Sequence, residues 1–97
     1  MAQKSIPNIH PGEILREEFL KPMNITPYLL AKSTYVPATR ISEIIKGRRR
    51  ISADTALRLG KFLGTSAEFW LGLQMEYDLR EEKKYKMREI QRIKTFK

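Results

Sequence analysis

The chain has 97 residues and a formal net charge of +8, from 19 basic and 11 acidic side chains, which suits one domain and favours a polyanionic partner such as nucleic acid. It has no cysteine, which excludes disulfides, thiolate metal sites and cysteine nucleophiles. No run of about 18 apolar residues occurs, so we expect a cytoplasmic protein with no signal peptide and no membrane partner.

Capping residues predict the first two helices. The first begins within residues 10–13 (His-Pro-Gly-Glu), where the proline suits the first helical position and the glutamate suits the first turn, and it ends before Pro22. The second begins after Thr26, a residue type that caps helix N-termini, with Pro27 at the first helical position. It ends before a break at residues 35–36.

The third predicted helix opens with Pro37 and runs to Lys46, where Gly47 ends it. Three isoleucines at helical spacing form its apolar face: Ile41, Ile44 and Ile45. A fourth helix is predicted to open at Ser52, as an N-cap, and to close at Gly64.

The fifth predicted helix opens with a capping box, Thr65 at the cap and Glu68 three residues on. It carries two apolar stripes on nearly opposite faces. We expect one to complete the core: Phe69, Leu73 and Tyr77. The other is expected to form a homodimer interface, unless the following tail folds back over it: Leu71, Met75 and Leu79.

The predicted architecture is therefore all-α, with five helices and no strand pattern. We assign a DNA-binding domain to residues 1–79 and a basic extension, helical or disordered, to residues 80–97. In that extension the basic side chains could stay solvated or could contact DNA or a protein partner.

The second and third helices are joined by a short turn, as in a helix-turn-helix, over about residues 26–46. Residues 32–61 hold eight basic and two acidic side chains, net +6. Short or flexible residues at the start of the third helix are candidates to contact base edges in the major groove: Ala38, Thr39 and Arg40. Arg40 could instead pair with Glu43 or Glu13. The basic run that follows is the candidate phosphate contact: Lys46, Arg48, Arg49 and Arg50.

The segment from Leu30 to Leu73 resembles the helix-turn-helix family of the phage repressors and Cro, and more narrowly the HigA-type antitoxins. The residues that carry the resemblance are His10-Pro11-Gly12-Glu13-Ile14-Leu15, Arg40-Ile41-Ser42-Glu43-Ile44, Gly47-Arg48-Arg49, residues 51–59 (ISADTALRL), residues 64–71 (GTSAEFWL), Leu73 and Gln74. The resemblance implies a compact lambda-repressor-like domain, a dimer, an operator overlapping its own promoter and a partner toxin that cleaves mRNA.

By matching position, the resemblance implies base contacts from Ala38, Thr39 and Glu43. It implies phosphate contacts from Thr26, Tyr28, Arg48 and Arg50. The sequence departs from the family at the turn, where Tyr35 stands in place of the usual glycine. Because positive φ is costly for tyrosine, we expect the turn to take another shape.

The sequence predicts no enzyme, cofactor or metal site, because it has no glycine-rich phosphate loop, no nucleophile–base pair and no ligand cluster around its one histidine, His10. We expect His10 to cap or pack, and Trp70 to lie in the core or an interface. The leading hypothesis is an antitoxin that represses its own operon, binds operator DNA and neutralises a HigB-like toxin. The alternatives are a free-standing repressor without a toxin and an adaptor that no longer binds DNA.

Overall fold

The computed structural model describes residues 7–96 and folds into five helices. The first, α1, starts as an α-helix at Pro11–Ile14 and continues in π-helical geometry at Leu15–Leu20. Four α-helices follow: α2 (Pro27–Thr34), α3 (Ala38–Ile45), α4 (Ala53–Leu63) and α5 (Ala67–Ile90). No strand occurs among the described residues. The predicted all-α, five-helix fold is confirmed.

Three of the helix starts form as their capping residues predict. His10, Thr26 and Ser52 each have extended backbone and accept a backbone N–H from two or three positions further on, at 2.9, 3.0 and 3.3 Å. Each bond satisfies one of the donors that a helix N-terminus leaves unpaired. Hydrogen bonds between a capping side chain and the neighbouring backbone therefore determine where these helices begin.

The start of α5 differs from the prediction. Ser66 is the N-cap, because its hydroxyl accepts the backbone N–H of Phe69 at 3.0 Å. The Thr65 hydroxyl accepts instead from the indole N–H of Trp70, at 2.7 Å. Since Trp70 is fully buried, its N–H needs a partner inside the protein. The predicted cap at Thr65 was wrong, because its hydroxyl binds the Trp70 indole N–H and Ser66 caps the helix instead.

A continuous core joins all five helices: Leu15, Leu20, Leu30, Ala31, Val36, Ile41, Ile44, Ile51, Ala56, Leu59 and Trp70. On α5 the buried positions are Trp70 and Gln74, whereas Phe69 is 40% exposed. The predicted core stripe was therefore wrong at Phe69. Gln74 is buried because its side-chain carbonyl accepts the backbone N–H of Ile51 at 2.7 Å, a role that a hydrophobic pattern does not indicate.

Helix α5 is 24 residues long and runs through residue 80, where we expected a domain boundary, without interruption. Residues 82–86, 88 and 89 on it are exposed, so this end of the helix projects from the core. Within the described part of the chain, no helix has the length and apolar character that crossing a bilayer requires.

Helix α1 touches the C-terminal end of α3 at Gly12. A Cβ atom at this position would overlap the carbonyl oxygen of Ile44 and would also crowd the His10 ring. Because glycine has no Cβ, the backbones of the two helices can approach this closely. The position of α3 against the core thus depends on the absence of a side chain at residue 12.

We predict that Gly12→Ala destabilises the protein by roughly 3 kcal/mol, because the new Cβ would overlap the backbone carbonyl of Ile44, which cannot move aside as a flexible side chain could. Gly72→Ala is the matched control, since nothing lies within 4 Å of its would-be Cβ. It should stabilise the protein by about 0.5–1 kcal/mol through helix propensity. Urea unfolding of both variants measures the difference. Equal unfolding midpoints would show that α1 and α3 are not in close contact.

Candidate nucleic-acid interface

The turn between α2 and α3 consists of residues 35–37. Tyr35 takes a left-handed conformation, with φ 59° and ψ 38°, and its side chain is 86% exposed. Its N–H and that of Val36 both donate to the carbonyl of Ala31, closing α2 as a glycine at this position would. The expectation of a different turn shape was therefore wrong. The left-handed backbone conformation at Tyr35 costs roughly 1–2 kcal/mol of conformational free energy.

An arginine from α4 holds this turn. The guanidinium of Arg58 donates to the carbonyls of Thr34 and Tyr35, at 3.0 and 3.3 Å. These carbonyls lie at the end of α2, where no intrahelical partner remains and a cation interacts well with the helix dipole. Arg58 therefore fixes the turn from which α3 departs.

Helix α3 has a buried face and an open face. Ile41 and Ile44 are completely buried against the core. Ala38 and Thr39 are exposed, and Arg40 and Glu43 are half-buried. The helix has eight residues, which is about 12 Å of length, and a major groove admits one α-helix of this kind. All four predicted base-contacting residues thus lie in the part of α3 that is not fully buried.

Arg40 has an ion-pair partner that the sequence did not indicate. Its Nη1 lies 3.4 Å from a carboxylate oxygen of Asp54 in the first turn of α4. Neither Glu43 nor Glu13 forms an ion pair with it in the described chain. The i, i+4 spacing of Asp54 and Arg58 predicts their own pairing, observed at 3.1 Å, but the contact with Arg40 depends on how α3 and α4 cross.

The predicted phosphate-contacting residues divide into two groups. Lys46, Arg48 and Arg49 are exposed just beyond α3, and none of them forms an ion pair within residues 7–96. Arg50, by contrast, lies 2.5 Å from the carboxylate of Asp78 on α5. The charge of Arg50 is therefore already compensated within the protein.

Two further candidates lie at the start of α2. Thr26 caps the helix with its hydroxyl, which accepts the N–H of Leu29, and Tyr28 is exposed beside it with the Lys32 ammonium 5.9 Å from its ring centre. A threonine hydroxyl used in this way keeps its own proton available for an outside acceptor.

A polar network connects the basic loop to α5. The Gln74 amide donates to Asp78 at 3.0 Å and accepts from the Ile51 backbone at 2.7 Å, while Asp78 also binds Arg50. Burial opposes ionisation of Asp78, but the hydrogen bonds from Arg50 and Gln74 outweigh it, so the pKa of Asp78 lies below its usual value. The loop after α3 is thereby anchored to the last helix.

His10 lies at the edge of this network, with its ring 4.9 Å from that of Tyr77. Burial lowers the pKa of His10, and the nearby Asp78 acts in the opposite direction. Its Nδ1 accepts the N–H of Gly12, so His10 has the capping and packing role that the sequence predicted. No cluster of metal-ligating side chains occurs among residues 7–96.

The predicted dimer stripe on α5 is only partly open. Met75 and Leu79 are 62% and 49% exposed, whereas Leu71 is half-buried and packs against the core. The exposed part of the stripe therefore consists mainly of Met75 and Leu79, with a smaller share from Leu71.

Comparison with known proteins places the helix pair in a defined family. Residues 17–70 match the family model described as helix-turn-helix. The chain is 51% identical over 78 residues to virulence-associated protein I of Dichelobacter nodosus, and 41% identical over 68 residues to antitoxin HigA-1 of Vibrio cholerae. These matches cover 80% and 70% of the chain, and 72% and 64% of the relatives' lengths.

A solved structure agrees closely with the fold. The structure of Pseudomonas aeruginosa antitoxin HigA with the higBA promoter superposes with a TM-score of 0.88 at 42% identity, covering 94% of this chain and 100% of that one. The match extends beyond the helix-turn-helix to nearly the whole described chain.

The division of the basic residues yields a prediction for salt dependence. If Arg48 contacts a phosphate, Arg48→Ala should reduce the slope of log binding constant against log salt by about 0.9, because that contact is lost. Arg50→Ala should change the slope much less, since Asp78 already neutralises that guanidinium. Titration of both variants with duplex DNA at several salt concentrations measures the slopes. An equal reduction would mean that Arg50 leaves Asp78 for a phosphate.

Proposed function

The chain belongs to the helix-turn-helix family, among its HigA-type antitoxins, and we propose that it is an operator-binding autorepressor that also neutralises an mRNA-cleaving, HigB-like toxin. Regulators of this family are DNA-binding proteins and not enzymes. The observation that carries the proposal is the open face of α3, followed directly by three exposed cations that form no ion pair within residues 7–96.

In this proposal α3 contacts the bases, and the residues around α3 contact the phosphates and orient the protein on the DNA. In this proposal Ala38, Thr39, Arg40 and Glu43 face base edges. The residues that would face phosphates are Thr26, Tyr28, Lys46, Arg48, Arg49 and, more weakly, Arg50. Base contacts select the sequence, whereas phosphate contacts fix register and supply affinity to any DNA. The net charge of +6 over residues 32–61 supports this arrangement.

Thr39→Ala tests the reading role of α3. We expect the variant to lose discrimination at one operator base pair, by about 1–3 kcal/mol, because a hydroxyl contact to a base edge is removed. Its affinity for unrelated DNA should not change, since no phosphate contact is affected. Selection from a random duplex library gives both quantities. Identical base preferences for variant and parent would exclude Thr39 as a reader.

We propose that the protein binds its operator as a two-fold dimer through α5. Met75 and Leu79 form an exposed apolar stripe on a soluble protein, and such a stripe usually has a partner. A two-fold pairing would place two copies of α3 on one face of DNA, about 34–36 Å apart, the length of one helical turn.

Met75→Glu should produce a folded monomer with strongly reduced operator affinity. The new charge would be buried twice per dimer without a counter-charge, which costs several kcal/mol, whereas the core is not affected. Leu57→Glu is the control, because Leu57 is 64% exposed on α4, away from the stripe. Sedimentation distinguishes the outcomes. A dimer that persists in Met75→Glu would place the interface on another surface.

Toxin neutralisation is tested by growth. Co-expression with the product of the adjacent gene should restore growth that this product alone arrests, and the two proteins should co-purify. Arg48→Ala should protect equally well, since it removes a phosphate contact and not the toxin surface. Continued growth arrest with the parent chain would instead support a free-standing repressor.

A further inference from the structure

Asp54 is the one carboxylate among residues 7–96 that forms ion pairs with two arginines. It lies in the first turn of α4, where it pairs with Arg40 of α3 at 3.4 Å and with Nε of Arg58 at 3.1 Å. Arg58 in turn donates to the two carbonyls at the end of α2. One acidic side chain therefore links the reading helix to the group that holds the turn.

The contact with Asp54 uses only part of the Arg40 guanidinium. A guanidinium has five N–H donors, and only Nη1 of Arg40 has a partner among the described residues. The side chain of Arg40 is 30% exposed, so the remaining donors can reach an external acceptor. Guanine presents two acceptors, O6 and N7, on its major-groove edge, which a guanidinium can bind together.

We propose that Asp54 is a positioning residue that sets the base preference of Arg40 for guanine. This inference rests on the proposed base-facing role of Arg40. Asp54 holds the Arg40 guanidinium at the edge of α3 before DNA binds. The side chain therefore loses less conformational freedom when it binds a base. It also gives Arg40 an alternative partner, which a phosphate or a poorly matched base must displace.

The charge of Asp54 adds to this selectivity. Its side chain is 57% exposed, and a carboxylate beside DNA weakens binding to every sequence through repulsion of the phosphates. At a site with guanine, the hydrogen bonds from the positioned Arg40 guanidinium offset this loss of affinity. Removing the charge should therefore raise affinity for unrelated DNA and reduce the preference for guanine.

The test is selection from a random duplex library with four proteins: the parent, Asp54→Asn, Arg40→Ala and the double variant. We expect the parent to prefer guanine at one position of each half-site by about tenfold. Each single variant should reduce this preference to about threefold or less, and the double variant should lose no more than Arg40→Ala. Asp54→Asn should also bind unrelated DNA more tightly than the parent.

Two further variants separate positioning from a general effect on folding. Asp54→Glu keeps the carboxylate and should recover at least part of the guanine preference. Ser66→Ala removes the N-cap of α5, which contacts neither Asp54 nor Arg40, and it should leave the preference intact even though it lowers thermal stability. A variant that only lowers the stability of the fold is not expected to change which base the protein prefers.

The possible failures are distinguishable. If Arg40→Ala loses the guanine preference and Asp54→Asn keeps it, the positioning role of Asp54 is wrong while the proposed DNA reading stands. If Arg40→Ala keeps every base preference of the parent, Arg40 is not a reader, and both the inference and that part of the proposed interface are wrong.

Discussion

The close contact between α1 and the end of α3 is the constraint on which the rest of the structure depends. Helix α3 has only eight residues, too few for stability on its own, and it must leave one face open. It is held by the burial of Ile41 and Ile44 and by the approach of Gly12 to the Ile44 carbonyl. The direction in which α3 projects, and hence the site, follows from this packing.

The second organising feature is the division of basic residues into free and paired. Lys46, Arg48 and Arg49 form no ion pair within residues 7–96, and we propose that they supply affinity that does not depend on sequence. Arg40 and Arg50 are paired with Asp54 and Asp78, carboxylates from two other helices. Pairing lowers indiscriminate attraction to polyanions and fixes the geometry of the arginines. A repressor needs both effects, because it must distinguish its operator from a large excess of other DNA.

Most of the helix boundaries could be predicted from the sequence, because caps such as His10, Thr26 and Ser52 act on neighbouring backbone. The predictions failed where a side chain binds a partner that the capping and hydrophobic patterns do not indicate. Thr65 was assigned as a cap but binds Trp70, and Gln74 is buried because it meets the backbone of Ile51. The candidate base-contacting residues lie on the part of α3 that is not fully buried, as the spacing of its isoleucines indicates. The ion pairs of Arg40 and Arg50 with aspartates on other helices could not be predicted, because they depend on how the helices cross.

We propose that α3 enters the major groove, and methylation interference on the selected operator would test this placement. Methylation at guanine N7 modifies the major groove, whereas methylation at adenine N3 modifies the minor groove. We predict interference at guanine N7 only, in two clusters separated by about one helical turn. Interference confined to adenine N3 would contradict the claim, because binding would then depend on the minor groove.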